Sequence, residues 1–190
     1  MIDELLSLHN PQVQAVVRSY VDQGGHPLAL GFESAVILLN GRVYKVYPPS
    51  FGLKKILLYE KLTAQARNIL DKQDTELYNV QGANKYKWRV VPIDNVSTEN
   101  ACPVTQSGFI DGPNMDDYSS EREGLFQHPI LGTINMDAYR KNHDALRRAS
   151  DMVGKKLRQD INITGLNVKP TTGGLLYVTD LTGNVNSLRT

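Results

Sequence analysis

Cysteine is nearly absent from this chain of 190 residues, in which Cys102 stands alone. One thiol cannot close an internal disulfide or furnish the paired thiolates of a cysteine zinc site, so neither a disulfide-stapled secreted scaffold nor a zinc ribbon is available. Long apolar runs are missing too. No stretch approaches the ~20 consecutive apolar residues that span a bilayer, and the opening Met1-Ile2-Asp3-Glu4 lacks the basic start of a secretory signal. The expectation is a soluble protein of a reducing compartment, cytoplasmic or delivered to a host cytosol by a route without a cleaved signal, with no membrane partner. An excess of either charge is lacking as well. Lys and Arg number 21 against 20 Asp and Glu, a net charge of +1. That gives no general basic field, and no nucleic-acid partner is expected. Internal repeats and low-complexity segments are not seen, which sets aside repeat architectures.

What remains is the composition of one globular domain or two small lobes. Asn10 before Pro11 is a helix cap with proline in the first turn, and Val13, Val16, Val17, Tyr20 and Val21 repeat at the spacing of one apolar face until Gly24-Gly25. That helix needs a surface to cover. Three short strands follow, His26 to Leu30, Ala35 to Leu39 and Arg42 to Tyr47, the last two joined by Asn40-Gly41, a strong two-residue hairpin signal. In the third strand alternation puts Val43, Lys45 and Tyr47 on one face. Lys45 is then either a solvated outward residue or a point charge for phosphate. After Pro48-Pro49 a helix is expected from Leu53 to Leu70, with Leu53, Ile56, Leu57, Glu60 and Ala64 on its inner face. A carboxylate in that stripe is costly unless paired, so Glu60 either meets Lys45 or sits at the stripe's margin.

Residues 71 to 107 are less legible. Tyr86 to Pro92 reads as a strand, Asp94 to Asn100 as a polar loop, and Val104 to Ile110 as a strand ending in the turn Asp111-Gly112-Pro113-Asn114. Asp116-Asp117 reads as a pair of solvated acids. From Tyr139 to Leu157 a second long helix carries Asn142, Leu146, Ala149, Val153 and Leu157 on one face and a basic run on the other.

The stretch Ile161 to Gly183 predicts a loop, a strand through Val168 and Lys169, a turn at Gly173-Gly174, and a strand Leu175 to Thr179 ending in Asp180. Folded at its glycines, this hairpin brings an amide oxygen, Asn167, to a carboxylate, Asp180, thirteen positions later. The pair is either ordinary hairpin surface or two hard oxygen donors for Mg²⁺, which keeps its remaining positions for water and substrate phosphate.

Taken in order, these features resemble the protein-kinase-like fold over residues 27 to 183, and in extent they resemble the minimal kinases of bacterial effectors and phages. The resemblance implies an α+β fold with a helical extension (1–25) and a minimal kinase-like domain (26–190). That domain would comprise a small β-rich N-lobe, about 26–108, and a truncated helical C-lobe, about 109–190. It implies ATP and Mg²⁺ as cofactors. Gly31 and Ser34 would lie in the phosphate-covering loop, Lys45 on the α/β-phosphates with Glu60 as its helix partner, Ile110 at the adenine-holding hinge, and Asn167 and Asp180 on the metal. Asn162 stands where the family has its catalytic aspartate, five residues before the metal asparagine, and a His-Arg-Asp triplet is not present. A general base typically contributes about 10²- to 10⁴-fold, so the expected activity is slow phosphotransfer, more readily to a protein than to a small molecule. Kinase-like folds also transfer AMP, and the residues do not choose between the groups. The alternative is a pseudokinase, a protein-binding module or structural component of a larger assembly, with its long C-lobe helix covered by the N-terminal helix, a partner or an oligomer.

Overall fold

The computed structural model describes residues 10–30, 33–119, 121–122 and 124–181. The chain is mixed α+β, and its described residues form two compact units: 10–64 with 92–109, and 65–91 with 110–181.

The first unit is built on a five-stranded antiparallel sheet. Its strands are β1 (His26–Leu30), β2 (Ala35–Leu39), β3 (Arg42–Val46), β6 (Ile93–Glu99) and β7 (Cys102–Gly108), in the order β1-β2-β3-β7-β6. Asn40 and Gly41 both adopt positive φ, 51° and 72°, as a two-residue hairpin turn between β2 and β3 requires. Helix α1 (Pro11–Asp22) starts where the sequence places it, with the Asn10 side chain accepting from Gln12 N at 2.8 Å. Its expected apolar face is the buried one. Val13, Val16, Val17 and Tyr20 pack on Ala35, Ile37 and Leu39 of β2 and on Val46, Cys102 and Val104, forming the core of this unit. The chain leaves the helix through Gly25, where a Cβ would collide with the Tyr20 carbonyl and the Ile37 side chain, so only glycine permits this close return. Cys102 is fully buried there, and burial raises its thiol pKa, which makes it inert packing rather than a nucleophile.

Helix α2 (Leu53–Leu70) has the expected bounds but a different inner face. Ile56, Tyr59, Leu62, Thr63, Ala66 and Leu70 are buried, whereas Leu53 and Leu57 are exposed. Tyr59 and Thr63 turn the stripe away from the purely apolar reading, and the Thr63 hydroxyl is satisfied by the Tyr59 carbonyl at 2.9 Å.

The second unit holds a four-stranded sheet of β4 (Asp74–Asn79), β5 (Gly82–Val90), β11 (Val168–Pro170) and β12 (Leu175–Val178), ordered β11-β12-β5-β4. The β5–β12 pairing is parallel, Leu175 opposite Lys87 through Val178 opposite Val90. A second, three-stranded sheet comprises β8 (Glu121–Arg122), β9 (Leu125–His128) and β10 (Gly132–Asn135). Helix α3 (Met136–Leu157) begins three residues before its expected start, because Asn135 caps it by accepting from Ala138 N at 2.8 Å. Its inner face is Asn142, Leu146, Ala149 and Val153, as expected, and strands β4 and β10 pack against the helix. The cover sought for this helix in the N-terminal helix or in a partner chain is therefore supplied within the second unit. No helix of the described residues is long and apolar enough to cross a membrane.

Candidate functional site

The closing hairpin folds as its glycines dictate. β11 and β12 pair antiparallel with Val168 opposite Val178, and the turn is closed by Thr171 N to Leu175 O (2.9 Å) and Gly174 N to Thr171 O (3.2 Å). One step beyond the ladder, the Asn167 carbonyl accepts from Thr179 N at 2.8 Å and from the Thr179 hydroxyl at 3.2 Å. Asn167 is thus held against the residue that precedes Asp180. Both are half-buried. The preceding loop is fastened to the same end, since Asn162 N donates to Leu181 O at 3.0 Å and Ile163 N donates to the buried Ser150 hydroxyl of α3 at 2.9 Å. Asn162, Asn167 and Asp180 consequently gather at one end of the hairpin. The exposed Asn162 opens on a pocket of 460 Å³ between α3 and the loop 161–165.

Asn167 and Asp180 supply one amide oxygen and one carboxylate. Among the described residues no group of three or more His, Cys, Asp or Glu could hold a metal by itself. An amide and a single carboxylate still fit Mg²⁺, which binds through one or two carboxylates and takes most other positions from water and phosphate. Such a site would be completed by its substrate. The same donors fit Zn²⁺ poorly, since it prefers nitrogen and sulfur ligands.

Ser34, Lys45 and Glu60 belong to the first unit. Lys45 lies on β3, the central strand of its sheet, between Val36 of β2 and Thr105 of β7, and is half-buried. Ser34 is half-buried immediately before β2, and Glu60 is half-buried on α2 beside the buried Tyr59. Glu60 therefore sits at the margin of the rotated stripe. Gly31 lies outside the described residues. Ile110, half-buried, opens the loop 110–119 of the second unit.

Sequence reasoning missed the most constrained part of that loop. Asp116, read as one of two solvated acids, has its carboxylate against Gly165 and its Oδ1 3.1 Å from His143 Nε2 on α3. Asp117 accepts from Asn114 N at 2.7 Å. Around them Tyr118 packs on Phe126 and Tyr139 at 5.5 and 5.6 Å, and Tyr139 stacks on His143 at 4.3 Å. Burial, reinforced by the Asp116 charge, raises the Tyr118 phenol pKa well above its usual range, so it remains protonated. The available signal was the pair of acids beside an aromatic-rich segment, but nothing local joins Asp116 to His143.

No known protein-family model matches the chain, and no characterised protein matches it as a relative.

Proposed function

We propose that the chain is a minimal kinase-like phosphotransferase that binds ATP with Mg²⁺ and acts on a protein. The observation that carries this reading is the hairpin end, where the Asn167 backbone is bonded to the residue before Asp180 and Asn162 to the residue after it. Two further features support it: Lys45 at the centre of an antiparallel sheet, and a long helix, bearing Glu60, that follows that strand. Lys45 would neutralise the α/β-phosphates, with Glu60 as its orienting partner. Ser34 and Gly31 would cover the phosphates and Ile110 would border the adenine. Asn167 and Asp180 would hold Mg²⁺, which when bound withdraws charge from the phosphates. Phosphoryl transfer depends mainly on positioning and charge neutralisation, so these residues suffice for slow transfer. Asn162, being an amide, cannot take up the acceptor's proton.

That same amide favours a second reading. A chain that lacks a base at Asn162 would serve, with or without bound nucleotide, as a pseudokinase, a protein-binding module or assembly component. With the inner face of α3 already packed, its partner would meet the outer face, where Arg140, Arg148, Lys155 and Lys156 are exposed.

Thermal unfolding with and without ATP and Mg²⁺ tests the first reading. A ligand bound only by the folded state raises the midpoint, by about 2.7 kcal/mol of stabilisation at a hundredfold excess over its dissociation constant. The expected result is a magnesium-dependent rise in the parent that is lost in Asp180→Ala. Radiolabel transfer from γ-labelled ATP then separates enzyme from pseudokinase. A parent whose midpoint ignores ATP and Mg²⁺ at every concentration would sink the first reading and turn the search to binding partners.

A further inference from the structure

Three buried side-chain polar atoms among the described residues have no hydrogen-bond partner: Asp116 Oδ1, the Tyr118 hydroxyl and His143 Nε2. They fall in one cluster, linked by the ring contacts of Tyr118 with Tyr139 and of Tyr139 with His143. Buried polar groups left this way are uncommon and call for a reason. Here Nε2 and Oδ1 approach to 3.1 Å without the alignment of a hydrogen bond. The contact fixes where the carboxylate sits rather than saturating it.

The carboxylate is wedged. It also rests against Gly165, where any Cβ would fall on the carboxyl group itself. The neighbouring Met115 N donates to both Gly165 O at 3.1 Å and Val168 O at 2.7 Å. Residues 115 and 116 therefore grip both ends of the turn Gly165–Asn167, which closes through Asn167 N to Thr164 O at 3.0 Å. A mechanical line thus runs from α3 through His143 and Asp116 to Gly165 and on to Asn167.

We propose that His143 and Asp116 form a latch that positions the Gly165–Asn167 turn, and that His143 is a positioning residue for the cation-binding Asn167. The latch stands on geometry alone. Its effect on cation binding rests on the phosphotransferase reading.

Two readouts separate these parts: amide hydrogen exchange over residues 161–168 without ligand, and the Mg²⁺ concentration that half-saturates stabilisation by ATP. In His143→Leu, exchange in this segment should rise roughly tenfold or more, as expected when a local contact is removed without global unfolding. The half-saturating Mg²⁺ should rise several-fold. His143→Gln, which keeps a polar nitrogen facing Asp116, should restore much of both. Gly165→Ala should loosen the same segment, yet add little in an Asp116→Ala background where its collision partner is gone; such non-additivity is the mark of direct coupling. Unchanged exchange in His143→Leu, or strictly additive Gly165 and Asp116 effects, overturns the latch, and the Gly165–Asp116 cycle decides it if the leucine variant does not fold. Faster exchange with an unmoved Mg²⁺ requirement overturns the positioning role. If the parent shows no response to ATP and Mg²⁺, the phosphotransferase reading falls with that role, and the exchange data still decide the latch.

Discussion

Replacing Asn142 with leucine is expected to destabilise the protein by about 2 kcal/mol, because it strands two half-buried peptide groups, each toward the lower end of ~1–3 kcal/mol. Asn142 is fully buried on α3, its Oδ1 accepting from Tyr78 N at 2.6 Å and its Nδ2 donating to Tyr78 O at 3.0 Å. β4 is the edge of its sheet, paired with β5 alone. The asparagine side chain does for Tyr78 what a further strand would do, presenting one donor and one acceptor in the spacing of a peptide. Leucine keeps the branched outline with bulkier ends and none of this chemistry, so no cavity is opened and the loss measures the polar clamp together with some overpacking. Asn142→Asp adds a sharper check. A carboxylate can still accept from Tyr78 N but repels the Tyr78 carbonyl, so this variant should suffer most at neutral pH and recover in acid, where the protonated carboxyl can donate. Urea unfolding followed by fluorescence of Trp88, the single tryptophan and 3% exposed on the adjacent β5, reads the effect. A leucine variant within 0.5 kcal/mol of the parent, the range typical of plain surface changes, would show that the clamp is dispensable.

A loss of stability on mild acidification is the second large effect expected, and it is assigned to His128. This side chain is buried, its Nδ1 accepting from Ile130 N and Leu131 N, both at 3.0 Å, while Nε2 faces Asn114 O at 2.9 Å. Two backbone donors on Nδ1 require the proton to sit on Nε2, which fixes the tautomer. Protonating Nδ1 would set an N–H against two others. Burial lowers the His128 pKa, while the Asn114 carbonyl and the charges of Asp117 and Asp116 pull weakly the other way. With the folded pKa below the unfolded value of about 6.5, the contribution of neutral His128 is complete above pH ~6.5 and declines as the pH falls below it. Decline stops once the folded pKa is passed. One such group imposes a slope of at most about 1.4 kcal/mol per pH unit. His128→Leu should be less stable at pH 7, having stranded the two donors, and should show a flatter dependence between pH 7 and 5. An equal slope in parent and variant would assign the acid sensitivity elsewhere.

Local signals carried most of what the sequence revealed. The Asn10 cap, the Asn40-Gly41 turn and the glycines of the closing hairpin each act within a few residues, and all three elements form as read. The strands that escaped notice are polar ones. β6, Ile93–Glu99, looks like a loop because it is a sheet edge with one face toward water, and β4, Asp74–Asn79, carries two acids and owes its place to Asn142, distant in sequence. β9 and β10 went unread as well, in a segment whose folding depends on His128 satisfying a turn. In the candidate site, Asn167 and Asp180 were legible because a hairpin makes spacing into proximity. Asp116 and His143 were not, since a loop acid and a helix histidine 27 positions apart carry no periodicity that joins them.

The parallel pairing of β12 with β5 also sets a timetable for synthesis. Residues 82–90 leave the ribosome long before residues 175–178, and β5 has only β4 beside it until the later strand arrives. During that interval a row of backbone donors and acceptors stays open to any passing strand, so the nascent chain is a client for chaperones and a hazard for misassembly. The chain also crosses between its two units after residues 64, 91 and 109. No single cut yields either unit as one continuous piece, and truncations made in search of a smaller folded fragment will break into one or both.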